Sequence, residues 1–383
     1  MEISVVNNHF YGIEITKYAI DITQASRDCG GDWRRTMIHE VTMKDLARKL
    51  GLSVSTIGRS LDDRAEISEE TKIRVRQAAE SLGYIRNSGA RMMRTRQSSI
   101  IGLIVPNITN DFYAAAAMAM SKCFEDAGYQ LVLAVTWDNP QSELNHVKAL
   151  LEARAAGVVI AMTANPMKET VTLLERLLAV DFIRESGAAG RPWFGIDGCQ
   201  GIALATRHLL GLGHRDIAYV GGHGDLSTGR DRVAGFRAAF REAGIDCPED
   251  LIRTGRPDTE FGNQAMLDIL SSRKPTAVVA AGAELTVGIV DAIGRCGLAV
   301  PDSISVVGFG DAPWFRWWNN GLTTMALPTY DIAYACGGYL LRRIEAQKTD
   351  RQAVEAVPFR ALHGLGLIER ATTRALSQMR HVP

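Results

Sequence analysis

The chain reads as an α/β protein in two parts. An N-terminal all-α headpiece of helix-turn-helix type precedes a two-lobed body with two doubly wound parallel sheets. Three observations predict this. Residues 42–61 hold two short helical segments broken by a glycine turn. From Ser98 onward, short apolar runs alternate with helical periodicity. The alternation lasts for about 270 residues, more than one ordinary sheet accommodates, so two lobes with a cleft between them is the economical reading.

Residues 1–40 show no period. They mix short apolar stretches with Asn7-Asn8, Cys29-Gly30-Gly31 and Trp33-Arg34-Arg35, and read as a disordered extension, with Met37 the natural start before the first helix. The alternative is a short accessory strand or helix packed on the headpiece. Thr42 is a good N-cap, and Leu46, Ala47 and Leu50 follow at helical spacing until Gly51 stops the helix. Ser53 caps a second helix, Val54 to Leu61. Ser68-Glu69-Glu70-Thr71 opens a third, with Ile73, Val75, Ala78, Ala79 and Leu82 as its apolar face and Gly83 as its stop. In the body, apolar runs at 100–105, 131–135, 158–161, 217–220, 277–281 and 304–309 read as strands. Helical stretches at 112–127, 143–153, 202–210, 233–243 and 285–296 lie between them.

Composition bounds the function. With 383 residues, two or three domains fit, and 46% apolar content supports real cores. Formal net charge is zero, but residues 41–97 carry 12 Lys/Arg against 7 Asp/Glu, a net of +5, leaving −5 on the rest. A basic end on an acidic body points to an anionic partner for that end. The six cysteines are scattered without a CxxC pair, so neither a zinc site nor a disulfide framework is expected. Neither a metal nor a cofactor is called for. No apolar run reaches the roughly 18 residues of a membrane span, and no secretory signal is visible; the expected location is the cytoplasm.

Ser53-Val54-Ser55-Thr56-Ile57-Gly58-Arg59 is the first candidate site. A helix-turn-helix needs a helix whose first residues face base edges in the major groove. Val54 and Ser55 stand there, and Arg59 follows one turn on, able to fork onto a guanine. Ser53 and Thr56 offer hydroxyls to phosphate. The plain alternative is an ordinary helical hairpin. The second candidate, Asn87-Ser88-Gly89-Ala90-Arg91-Met92-Met93-Arg94-Thr95-Arg96, sets apolar side chains among cations. That combination suits a minor-groove reader that wedges a base step, or else a solvated basic linker.

Here a resemblance becomes specific. Val41-Thr42-Met43-Lys44-Asp45-Leu46-Ala47, Gly51-Leu52-Ser53-Val54-Ser55-Thr56-Ile57 and Gly83-Tyr84-Ile85-Arg86-Asn87 resemble the headpiece of the lac repressor (LacI/GalR) family. The likeness continues in the body. It covers Ile101 through Tyr113, Leu212-Gly213-His214-Arg215, Val220-Gly221-Gly222, Arg232 through Phe236, Gly297 through Pro301, Val306 through Phe309 and Leu322-Thr323-Thr324. It implies a periplasmic-binding-protein-like body and a homodimer or tetramer. The implied partners are double-stranded operator DNA and a small effector: a sugar, a sugar acid or an aromatic or other organic acid. The implied DNA-contacting residues are Thr42, Met43, Ser53, Val54, Ser55, Thr56 and Arg59, joined in the hinge by Asn87, Arg91, Met93 and Arg94. Met93 stands where the family usually has the intercalating leucine. The implied domains are an extension at 1–40, headpiece 41–86, hinge 87–98, body 99–372 and tail 373–383.

Candidate effector contacts follow the strands. Asn107, Phe112 and Tyr113 come after the first, Tyr113 facing either the cleft or a dimer interface; Arg232 stands at the family's effector-contacting arginine. Departures from the pattern are several: Gly58 for a common Ser, Pro257 for an aromatic, Gly282-Ala283 for Asn-Asp, Gly310 for an Asp, and Arg184 near a usual carboxylate. Just beyond Gly310, Asp311 precedes Trp314-Phe315-Arg316-Trp317-Trp318. Asp311, Trp314 and Arg316 are therefore also candidates, as part of an aromatic cage for a planar or carboxylate-bearing ligand; the alternative is a hydrophobic loop covering the lobe. Two other functions stay open: a solute receptor, which would need a signal sequence, and an enzyme using His208, His214 or His223. No GxSxG, HExxH or Walker loop accompanies those histidines.

Overall fold

The structure, a computed structural model, describes residues 41–84, 98–187, 190–349 and 359–379. These fall into two compact units, one within 41–84 and the other spanning 98–379. The expected extension at 1–40 and, apart from Ser98, the expected hinge at 87–98 lie outside the described residues.

The first unit is three helices: α1 (Met43–Leu50), α2 (Val54–Leu61) and α3 (Glu69–Leu82). Each is stopped or started by a recognisable cap. The Asp45 carboxylate accepts from the Thr42 N–H at 2.9 Å and from its hydroxyl at 2.7 Å. Gly51 ends α1 at φ +65°, a conformation that costs a Cβ-bearing residue more. The Ser53 and Ser68 hydroxyl oxygens accept from the N–H three residues on, opening α2 and α3. Leu46, Ala47, Ile57, Val75, Ala78 and Ala79 form a small core. Ile73, expected inside, is 49% exposed. It lies two residues before Val75, about 200° around the helix, so the buried position three residues before Val75 falls to Lys72. That ammonium is satisfied by Glu69 at 2.6 Å and Asp63 at 3.1 Å.

The second unit carries two six-stranded sheets. The first contains β1 (Ile100–Val105), β2 (Gln130–Val135), β3 (Gly157–Ile160), β4 (Ala179–Phe182), β5 (Trp193–Ile196) and β11 (Arg360–His363), in the order β11-β5-β4-β3-β1-β2. The second contains β6 (Ile217–Gly222), β7 (Ile252–Gly255), β8 (Ala277–Ala281), β9 (Ser305–Phe309), β10 (Thr324–Ala326) and β12 (Gly366–Ile368), in the order β12-β10-β9-β8-β6-β7. All pairings are parallel except β10 with the edge strand β12. Helices α4 (Asp111–Asp126), α5 (Pro140–Glu152) and α6 (Lys168–Leu174) serve the first lobe; α7 (Gly198–Gly211), α8 (Ser227–Glu242), α9 (Thr259–Ser272) and α10 (Ala283–Arg295) serve the second. Helix α11 (Thr329–Thr349) returns to pack on α4 and on β3, β4 and β5. The chain thus crosses between lobes three times, after β5, β10 and β11. Strands such as β6 and β8 are buried along their whole length, as a parallel sheet covered on both faces requires.

Candidate functional site

In the headpiece, α2 divides cleanly by face. Ile57 and Ser60 are buried, and the Ser60 hydroxyl donates to the Thr56 carbonyl at 2.8 Å. Ser55 and Arg59, four residues apart, are exposed on the other side, with Val54 41% exposed at the first turn. The Ser53 hydroxyl accepts from the Thr56 N–H at 3.1 Å and lies 2.8 Å from both the Ser55 and Thr56 hydroxyls. This helix start therefore presents three clustered hydroxyls and free N–H groups, the chemistry a phosphate oxygen needs. Thr42 is exposed, whereas Met43 is half-buried against the core. Among the described residues nothing comes within 4 Å of a Cβ built on Gly58. Asn87, Arg91, Met93 and Arg94 lie outside the described residues.

In the body, a cavity of about 120 Å³ sits between the lobes. Its lining comes from strand ends: Asn107 after β1, Trp137 and Asp138 after β2, Ile183 and Arg184 after β4, Arg256 and Pro257 after β7, Gly282 after β8, and Phe309 and Gly310 around the end of β9. The carboxyl ends of parallel strands carry carbonyls and loops that no helix covers, so a crevice forms there. Phe112, Tyr113 and Arg232 also line it. Phe112 stacks on Phe182 with centroids 5.8 Å apart. Tyr113 is buried at the cavity wall, and burial pushes its hydroxyl pKa up.

Arg232 sits with its guanidinium carbon 4.1 Å above the Phe309 ring and donates to the Ala281 carbonyl at 2.9 Å. Its Nε–H is buried without an acceptor. Burial is the main cause that brings its pKa down to about 10, and the nearby charge of Arg184 adds to it. Arg184, also buried, forks onto the Asp138 carboxylate, with Nη2 at 3.1 Å from Oδ2, and donates to the Met162 carbonyl at 3.1 Å. The lobes are tied by polar contacts on two sides of the cleft. Asn107 and Thr109 donate to Glu284 at 2.6 and 3.1 Å, and the Glu185 N–H donates to the Ser227 hydroxyl at 3.0 Å.

Four of the seven expected effector contacts, Asn107, Phe112, Tyr113 and Arg232, are brought together here. Asp311, Trp314 and Arg316 are not among the lining residues. Asp311 turns to Arg370 at 2.8 Å and Arg316 at 3.7 Å. Trp314 lies edge-on to Phe315 and packs on the cluster of Val290, Ala312, Phe315 and Leu322, while the Arg316 side chain is 72% exposed. The aromatic run therefore builds a small apolar cluster over the second lobe rather than a cage. Trp137, Asp138 and Glu284 line the cavity without having been expected there, as does Arg184, noted in the sequence only as a departure; position directly after a strand, or at the start of the next helix, would have found them. Trp137 and Asp138 both have φ near +55°, unusual for non-glycine residues and of the kind concentrated at functional sites. Two of the three candidate histidines are held in hydrogen bonds between elements of the second lobe, while His223 lies 3.8 Å from Asp225. His214 is buried and bridges the Thr276 hydroxyl at 2.9 Å and the Arg374 carbonyl at 3.0 Å; His208 lies 3.0 Å from the Thr373 hydroxyl.

Residues 42–87 match the model of bacterial regulatory proteins of the lacI family, and residues 206–373 that of a periplasmic binding protein-like domain. The HTH-type transcriptional regulator GalR of Escherichia coli (strain K12) is 30% identical over 295 residues, 76% of this chain and 86% of that relative. The chain belongs to the lacI family of bacterial regulatory proteins. It is a DNA-binding transcriptional regulator with its sensor in the periplasmic-binding-like body. The HTH-type transcriptional repressor PurR of Klebsiella pneumoniae (strain 342) is 29% identical over 322 residues, 83% of this chain and 94% of the relative. Among solved structures, the lac repressor dimer bound to operator and the anti-inducer ONPF superposes with a TM-score of 0.75 at 24% identity, over 88% of this chain and all of that one. That likeness is one of fold.

Proposed function

We propose that this family member is a homodimeric repressor whose operator affinity is set by a small molecule held between the two lobes. The observation that carries the reading is the pairing of two features in one chain: an exposed Val54, Ser55 and Arg59 face on a well-capped helix, and a cavity at strand ends containing Arg232. Val54, Ser55 and Arg59 read bases; Thr42, Ser53 and Thr56 contact phosphate. Residues 41–86 act as headpiece, 87–98 as hinge with Met93 as wedge, and 99–372 as sensor and dimerisation body. Asn107, Phe112, Tyr113 and Arg232 hold the effector. The protein works in the cytoplasm; among the described residues no helix is long and apolar enough to cross a membrane. It has no catalytic role, and turnover of any ligand in the cleft would contradict that.

A ligand changes operator affinity only through its differential affinity for the DNA-competent and DNA-incompetent states. The test is fluorescence anisotropy of the full chain on its own upstream region, across salt concentrations. A specific complex that weakens with salt, by a slope of about 0.9 per phosphate contacted, is expected. Absence of any sequence-specific complex would end the reading. Sedimentation velocity is expected to give a dimer; a monomer at all concentrations would remove the two-fold operator from the proposal.

A further inference from the structure

We infer that the effector is a small carboxylate, whose negative charge completes a partly buried set formed by Arg232, Arg184 and Asp138. The inference rests on the cleft being the effector site.

The charge inventory of the cavity leads there. Three guanidinium groups line it, from Arg184, Arg232 and Arg256. Asp138 is taken by Arg184, and Asp258 by Arg256 at 2.9 Å. Glu284 is turned to the neutral donors Asn107 and Thr109. Among the described residues, Arg232 has no carboxylate within ion-pair distance. It has one carbonyl, one aromatic face and a buried Nε–H with no acceptor. Burial and Arg184 lower its pKa only to about 10, so it keeps its proton at neutral pH. Arg184 thus has its carboxylate, while the half-buried Arg232 has none. A buried cation left without a counter-ion is costly, and a carboxylate is the group whose geometry matches a guanidinium fork.

The rest of the lining points the same way. A polyol needs acceptors and donors for each hydroxyl. On the second lobe the wall sets Pro257, Gly282, Ala283, Phe309, Gly310 and Leu327 beside five polar side chains, and both of its carboxylates, Asp258 and Glu284, already have partners within the protein. The volume of about 120 Å³ favours a small ligand.

The experiment uses the full chain and matched probes that differ in charge alone or nearly so: 4-hydroxybenzoate against 4-hydroxybenzamide, and D-galacturonate against D-galactose. Thermal shift and calorimetric titration read binding; operator anisotropy reads the response. At least one acid is expected to bind about 10- to 100-fold more tightly than its neutral counterpart, the range of a hydrogen bond to a charged group. Arg232→Gln should remove that preference. If Arg232→Gln fails to fold, the acid and amide pair on the unaltered chain still decides. Neutral probes binding as tightly as acids, or no acid binding at all, overturns the inference. A neutral probe that binds and shifts operator affinity overturns this inference while the effector reading stands. An acid that binds independently of Arg232 and leaves operator affinity unchanged defeats both.

Discussion

The headpiece and the cleft solve the same problem, presenting a few side chains in fixed geometry, with opposite means. The headpiece puts its readers on one eight-residue helix and steadies it with six small or medium apolar side chains. The cleft gathers its lining from the ends of strands in two sheets, held by a chain that passes between lobes three times. One site is local in sequence and rests on a thin core; the other is dispersed and rests on a thick one. The first should therefore be easy to destroy by a single core truncation, and the second by a single loss of close packing far from the ligand.

The largest expected effect tests the thin core. Leu46 is fully buried among few neighbours that could close over a void. Leu46→Ala should cost about 2–5 kcal/mol, as buried leucine truncations do, and a three-helix unit of this size has little more to lose. Hydrogen exchange on the full chain should show protection vanishing from 43–82, with specific operator binding lost. Ligand binding and the main thermal transition should stay. A matching fall in that main transition would mean the two units melt as one.

The converse is Gly288→Ala in the body. A Cβ there would stand 2.1 Å from the Thr259 carbonyl oxygen and 2.5 Å from the Asn263 nitrogen, both backbone atoms. Helices α9 and α10 must part, at about 1–3 kcal/mol or more. The main thermal transition should drop while headpiece exchange is unaltered. An unchanged transition would show that α9 and α10 pack more loosely than these distances require.

The same contrast governs what could be read from the residues alone. Helix α2 and its caps were legible because spacing of three and four residues fixes a face without reference to the rest of the chain. Strands β1 and β8 were legible as unbroken apolar runs. Strand β4 was not, because Asp181 interrupts it; that carboxylate is buried only because the Ser186 N–H at 2.8 Å and Arg191 at 3.3 Å compensate it. The family resemblance located Arg232, but nothing local joins Asp138 to Arg184, whose meeting depends on the order β4-β3-β1-β2. The aromatic run at 314–318 misled for the opposite reason: proximity in sequence implied a cage, while packing turned Trp314 and Phe315 onto Val290 and Leu322.

Arg59 gives a smaller and more selective effect than either packing change. It is exposed and makes no ion pair among the described residues, so Arg59→Ala should leave folding untouched. If it forks onto a guanine, the operator complex should weaken by about 1–3 kcal/mol, while binding to a scrambled duplex barely changes. Equal weakening on both duplexes would reassign Arg59 to the phosphate backbone.

The smallest effect runs in the stabilising direction and separates the two regions most sharply. Gly288 and Gly58 are both helical glycines, yet their surroundings differ completely. Nothing lies within 4 Å of a Cβ on Gly58 among the described residues. Gly58→Ala therefore meets no clash and removes backbone freedom from the unfolded chain, worth up to about 1 kcal/mol in a helix interior. Exchange protection in 54–61 should rise by that amount, with the main thermal transition constant. Operator affinity then discriminates between two roles for the glycine. If α2 is already fully formed when it meets DNA, affinity changes little; if part of its ordering is left to the complex, affinity rises by up to about fivefold, the equivalent of 1 kcal/mol. A loss of affinity without loss of stability would instead mean that the DNA backbone approaches this helix closely at Gly58, and that the missing side chain is itself part of the interface.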